Sequence, residues 1–262
     1  MKPVIHWFRQ DLRLSDNPAL THAAGTGQPV ICLYLFDDET PGVRKMGGAS
    51  RWWLHHALTA LDAALQEKGG GLILRRGAAA TALPALIRET GADRVTWNRC
   101  YEPFAITRDT ALKAELTRQD VAVESFNGAL LAEPWEIKTG TGTPFKVYTP
   151  FWKALRSRPE PGTPVHAPAD IAFHRGVTRG ALQDWALLPT RPDWSQDFDG
   201  TPGEKGAQDA LQGFLDHING YGAARDIPGL EGTSRLSPHL HFGEISPRQI
   251  WHAVRAQDRT QG

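Results

Sequence analysis

Cysteine is scarce in this 262-residue chain: only Cys32, inside one apolar run, and Cys100, just after another. A disulfide framework and a cysteine-rich metal site are thereby excluded, and a reducing compartment is expected. Net charge is also missing, since 29 Lys and Arg stand against 29 Asp and Glu. A chain without a field of one sign can meet nucleic acid only through a local basic patch. No apolar run approaches the roughly 20 residues of a membrane span, and the opening MKPVIHWFRQDLR turns charged too early for a signal peptide. His55-His56 and His239-Leu240-His241 do not share a helix face and have no cysteine cluster beside them, so no metal is expected. The scattered carboxylates Glu39, Glu67, Glu89 and Glu102 are expected to be solvated at the surface without partners. The expectation is a cytoplasmic monomer with no membrane partner.

What is present is an alternation of short apolar runs with helical periods. Residues 4–8 and 30–36 are continuous apolar runs, the pattern of strands covered on both faces. Asp16-Asn17-Pro18 opens a short helix between them. In residues 50–68, Trp53, Leu54, Ala57, Leu58, Leu61, Ala64 and Leu65 recur at the helical period, and Gly69-Gly70-Gly71 ends the helix. Further strands are predicted at 72–74, 94–97 and 121–126, with helices at 83–89 and 104–119. This spacing predicts an α/β domain with a doubly wound, five-stranded parallel sheet.

Ligands in such sheets bind beyond the carboxyl ends of the strands, where strand order reverses. With the common order 3-2-1-4-5 the crevice lies between residues 8–11 and 98–102. No G-x-G-x-x-G follows the first strand, so a dinucleotide fingerprint is absent. Two readings stand at this point: a ligand pocket, or structural ion pairs among Asp11, Arg13 and Glu102.

The stretch NGYGAARDIPGLEGTSRLSPHLHFGEISPR, residues 219–248, carries the densest signal. A helix from about 204, with Ala207, Leu211, Phe214, Leu215 and Ile218 on one stripe, is expected to stop at Asn219-Gly220 and deliver Tyr221 into a loop. Ser237-Pro238 and Ser246-Pro247 each place a capping hydroxyl before a proline at the first helical position. A loop rich in Gly, Thr and Ser that feeds a helix start can seat a phosphate on unpaired amides, and Thr233, Ser234, Arg235 and Ser237 fit such a seat. By spacing alone the alternative is two capped surface helices joined by a loop.

Three strings resemble the DNA photolyase and cryptochrome family, in its class I type. These are WFRQDLR with DNPAL at residues 7–20, LLAEPWEIKTGTGTPFKVYTPFW at 130–152, and TSRLSP with FGEISPR at 233–248. The resemblance implies a Rossmann-like antenna domain at 1–130, an inter-domain connector at 131–202, and the beginning of a truncated, all-α FAD-binding domain at 203–262. The connector is proline-rich, and its aromatics Phe145, Tyr148, Phe151 and Trp152 are expected to pack as a structural plug. By likeness, Tyr221, Thr233, Ser234, Arg235, Leu236 and Ser237 contact FAD, mostly around its phosphates, and Arg225 lies on the DNA side. A second antenna chromophore, folate or deazaflavin, is implied. After Tyr101-Glu102 the chain has Pro103-Phe104-Ala105, a departure from one folate-binding branch.

The implied activity is light-driven repair of cyclobutane pyrimidine dimers by electron transfer from reduced FAD, with damaged DNA as partner. The catalytic groups are expected beyond residue 262, so the chain alone is expected to be inactive and to retain flavin weakly. The tryptophans present are read as packing groups. The alternatives are a cryptochrome photoreceptor and a non-catalytic chromophore-binding module.

Overall fold

The structure is a computed structural model that describes residues 1–260. Five strands, β1 (Val4–Phe8), β2 (Val30–Phe36), β3 (Leu72–Arg76), β4 (Arg94–Asn98) and β5 (Ala122–Phe126), form one sheet. All pairings are parallel, as expected, and the order is β3-β2-β1-β4-β5, the common one assumed above. Every residue of β1 and β2 is buried, which is why both runs lack polar alternation.

Alternate side chains feed two cores. Val4, Phe8, Cys32, Tyr34 and Phe36 point to α1 (Pro18–Gly25) and α2 (Gly48–Glu67), whereas Ile5, Trp7, Ile31, Leu33 and Leu35 point to α3 (Ala79–Thr90) and α4 (Pro103–Arg118). Asn17 caps α1, its Oδ1 accepting from the Leu20 amide at 3.1 Å. Helix α3 starts four residues before the expected 83. Its first turn is held from outside, where Asp37 Oδ2 accepts from the Ala79 amide at 3.2 Å.

The connector differs from its expected form in two ways. Its aromatics are not a plug: in α5 (Tyr148–Arg156) no residue is buried, Tyr148 is 70% exposed, and Trp152 faces a groove shared with α9 (Pro247–Thr260). Beyond α5, where the proline-rich composition of 153–202 predicts a linker lying over the surface and partly ordered by its tryptophans, the chain is tied to the sheet. The Val30 amide donates to Ala172 O (2.6 Å), His174 N to Val30 O (2.9 Å) and Leu74 N to Arg179 O (3.1 Å). Trp185, on a single 3-10 turn at Leu182–Trp185, is buried and stacks on Phe36 at 5.3 Å.

The helical part consists of α6 (Glu204–His217), α7 (Tyr221–Ala224), α8 (Ser237–Phe242) and α9. Ala207, Leu211, Leu215, Leu236 and Ile245 form its small core. With about 1.5–3 kcal/mol from each fully buried large aliphatic side chain, a core of this size leans on its attachment to the α/β domain.

Candidate functional site: a loop cavity and a strand-end crevice

A cavity of about 730 Å³ opens between α6, α7 and the loop that precedes α8. Phe214, His217 and Asn219 line one wall, and Tyr221, Gly232, Thr233, Ser234 and Arg235 line the other. Tyr221 does not sit in a loop as expected. After α6 the chain makes a 3-10 turn, Ile218–Gly220, and Tyr221 begins α7, with its carbonyl accepting from the Arg225 amide at 3.0 Å. Its ring meets Phe214 edge-on at 5.6 Å. Gly232 lets the loop press against α7: a Cβ there would lie 2.4 Å from Ala224 Cβ.

The loop offers unpaired donors. Among the described residues, the amides of Thr233, Ser234 and Arg235 make no backbone hydrogen bond, and the Leu236 amide has only a long one, to Ser234 Oγ at 3.5 Å. Arg235 adopts a left-handed backbone, φ 50°, uncommon for a residue with a side chain. Its guanidinium is engaged by Glu231 at 2.9 Å and Asp199 at 3.8 Å, both well exposed. Leu236 turns its side chain into the helical core and is 3% exposed, so only its backbone faces the loop side.

One of the two expected serine caps is displaced. Leu236, not Ser237, precedes the first turn of α8, because Leu236 O already accepts from the Leu240 amide at 2.9 Å. Ser237 is therefore the first helical residue, exposed, and outside the cavity lining. Ser246 caps α9 as expected: Oγ accepts from Gln249 N (3.0 Å), and Gln249 Oε1 accepts from Ser246 N (2.8 Å). Arg225 is exposed, with its guanidinium carbon 5.7 Å from the Tyr221 ring centroid and its Nε 3.4 Å from Asp226. Tyr221 and Asp226 raise its pKa further above an already high value.

The second concavity, about 120 Å³, lies at the carboxyl ends of β1, β2 and β4. Trp7, Arg9, Tyr34, Phe36, Cys100, Phe104, Arg108, His241 and Phe242 are among its walls. Behind it Asp11, Arg13 and Glu102, offered above as structural ion pairs in one of two readings, take other partners. Arg13 is buried and donates to four carbonyls, Ser15 O (3.1 Å), Gly243 O (2.8 Å), Asp16 O (2.8 Å) and Gly128 O (2.6 Å). Asp11 accepts from the Asn98 side-chain amide at 2.6 Å, and Glu102 accepts from Gln10 at 2.9 Å. Glu89 is likewise partnered, accepting from Arg75 at 3.2 Å. Arg9 and Arg108 stand on the Trp7 ring, each 4.9 Å from its centroid. Trp7 Nε1 and Arg9 Nε are buried without a partner and border this space. Burial pushes the Cys100 thiol up in pKa, against the pull of Arg9. Among the described residues no group of three or more His, Cys, Asp or Glu side chains is placed to hold a metal, and no helix is long and apolar enough to cross a membrane.

Comparison with known proteins settles the family. The DNA photolyase family model matches residues 4–169. The chain belongs to the DNA photolyase family. A deoxyribodipyrimidine photo-lyase of Agrobacterium fabrum is 48% identical over 98% of this chain and 54% of its own length. Cryptochrome-1 of Arabidopsis thaliana is 38% identical over 96% of this chain and 37% of its own. The crystal structure of a bacterial class III photolyase from Agrobacterium tumefaciens superposes with a TM-score of 0.94, at 47% identity, over 99% of this chain and 54% of that one. This photolyase-family chain thus spans about half the length of the photolyases it matches.

The strings that carried the resemblance supply Thr233, Ser234 and Arg235 to the loop cavity and Trp7, Arg9, Gln10 and Phe242 to the strand-end crevice. What sequence reasoning missed is the hub at Glu244, a fully buried carboxylate that accepts from Trp53 Nε1 (3.0 Å) and the Gly203 amide (2.7 Å) and lies 2.5 Å from His239 Nδ1. Its only signal in the sequence was a glutamate inside an otherwise apolar and small-residue turn.

Proposed function

We propose that the cavity between α6, α7 and residues 230–235 seats the diphosphate part of FAD. In this reading the chain is the N-terminal part of a light-driven DNA photolyase. The observation that carries the reading is that Thr233, Ser234 and Arg235, whose amides have no partner among the described residues, line with two hydroxyls a cavity also lined by an aromatic ring. Amides and hydroxyls converging on one space are what a diphosphate needs, and they leave no compensating protein acceptor. The six-residue α8 contributes little dipole, so the loop itself is the anion seat. Arg235 would exchange Glu231 for a phosphate, a stronger bidentate acceptor. Tyr221 would pack on the nucleotide, and Leu236 and Ser237 would act from the backbone and rim. When bound, reduced FAD supplies the photoexcited electron that splits pyrimidine dimers; these residues bind it and orient it.

The DNA partner finds its local basic patch in the connector. Residues 138–158 hold five cations, Lys138, Lys146, Lys153, Arg156 and Arg158, and no carboxylate, with Arg158 paired to Glu136 just outside the stretch at 3.2 Å. The exposed Tyr148 lies parallel to Trp152, with centroids 6.4 Å apart. Arg225 adds a cation beside the cavity rim. The strand-end crevice, with its orphaned Trp7 and Arg9 donors, suits an antenna pigment with an acceptor-rich edge. The division proposed is an antenna domain at 1–130, a connector at 131–202 and the beginning of the FAD-binding domain at 203–262. The 47% identity to a class III photolyase favours that class over the class I expectation, and the 38% identity to a cryptochrome supports photoreception as the second reading.

The test is an equilibrium titration of the 262-residue chain with FAD, followed by flavin fluorescence. Weak binding that is lost on gel filtration, is competed by ADP-ribose and is not reproduced by riboflavin supports a diphosphate seat. Riboflavin binding as well as FAD, or no competition by ADP-ribose, overturns it. Light-dependent restoration of a dimer-containing oligonucleotide by the full-length protein separates photolyase from photoreceptor.

A further inference from the structure

The loop after β1 and the turn between α8 and α9 are 230 residues apart in sequence and bolted together. Leu12 N donates to Phe242 O at 3.0 Å, and Arg13 donates to Gly243 O. Gly243 has φ 66°, and a Cβ there would lie 1.9 Å from Gln10 O. At the centre is Asp16, fully buried, with a left-handed φ of 49°. Its carboxylate accepts from Ser246 Oγ (2.5 Å), Arg248 Nε (3.1 Å), Arg248 Nη2 (2.8 Å) and, from the connector, the Val165 amide (3.2 Å). Three parts of the chain therefore meet on one side chain.

Helix α8 gives this junction its consequence. Its first residues directly follow the cradle loop, and its last two, His241 and Phe242, line the strand-end crevice. At about 1.5 Å per residue it is a strut of roughly 9 Å, anchored at one end by the Asp16 clasp. We propose that Asp16 is a positioning residue: by clasping Ser246 and Arg248 it holds α8, and with it the amides of residues 233–236, in register with the α/β domain. A buried carboxylate with four charge-assisted or polar donors has a single arrangement, so the strut it anchors is not free to slide. The proposal rests on the FAD seat for its functional meaning and on the clasp alone for its mechanics.

The experiment compares the wild-type chain, D16N, R248Q, the double variant D16N/R248Q, and L116A. The last removes a fully buried side chain from the opposite core and controls for general loss of stability. Amide hydrogen exchange and FAD titration are measured on each. Asn in place of Asp16 loses the charge-assisted bonds, so exchange at the hydrogen-bonded amides of residues 240–250 is expected to rise, and FAD affinity to fall, by about tenfold or more, with β1, β2 and β4 still protected. The double variant is expected to be no worse than the poorer single one, because both act through one clasp. Unchanged exchange at 240–250 in D16N, or an equal loss of FAD affinity in L116A, overturns the proposal. Raised exchange there in a chain whose wild type binds no FAD supports the clasp and overturns the seat.

Discussion

His6 makes this fold lose stability on mild acidification. The residue lies in β1, fully buried, with Nδ1 3.2 Å from Thr96 Oγ1, its ring edge-on to Phe8 at 4.3 Å, and Nε2 without a partner. Burial, opposed by Asp11 and assisted by Arg9, lowers its pKa from 6.5 to about 4. The unfolded chain then binds a proton that the folded chain refuses, so stability is intact above pH 6.5 and falls as pH drops from there towards 4. Between pH 8 and pH 5 the two pKa values give a loss of about 2 kcal/mol for this one group, order of magnitude. Urea unfolding followed by tryptophan fluorescence at pH 8, 6.5 and 5 reads this directly as a falling midpoint. His55 and His56 have lowered pKa values too, from burial, and slope the same way. The diagnostic quantity is therefore the difference between wild type and His6→Leu, in which the pH slope should shrink by that amount. Identical slopes in the two proteins would show that His6 is protonated in the fold, or solvated, and would refute the reasoning.

Two other expectations concern buried groups. Trp53→Phe removes the indole donor from Glu244 and leaves a fully buried carboxylate short of a partner, which should cost about 1–3 kcal/mol; chemical denaturation checks it, and a change within error would mean that water or His239 takes over. Cys32, with its pKa pushed up to about 12 by burial, should resist a thiol-specific reagent at pH 8 until the chain unfolds. Cys100, only partly covered, should react slowly; labelling of Cys32 in the native state would contradict the packing of β2.

The sheet was legible because it rests on local signals. Uninterrupted apolar runs mean strands buried on both sides, and the alternation with helical stripes leaves few ways to connect them. The Asn17 and Ser246 caps were equally legible, since the acceptor and its amide lie within three residues. Where the expectation slipped, a distant partner intervened. Helix α3 starts early because Asp37, in another segment, receives its first amide, and the cap of α8 moves back by one because Leu236 is drawn into the core. The aromatics of α5 looked like a plug because composition records that a ring is apolar but not what covers it.

Of the candidate site, chain order alone determined which residues share the cradle loop, since residues 232–235 are neighbours whatever the fold. Only the tertiary structure decided that Phe214 and Tyr221 wall the same cavity, that Glu231 holds Arg235, and that Asp16 and Arg248, separated by 232 positions, meet at 2.8 Å. Backbone propensity and periodicity act over a few residues, whereas a buried ion pair exists only once folding has removed the water between its partners.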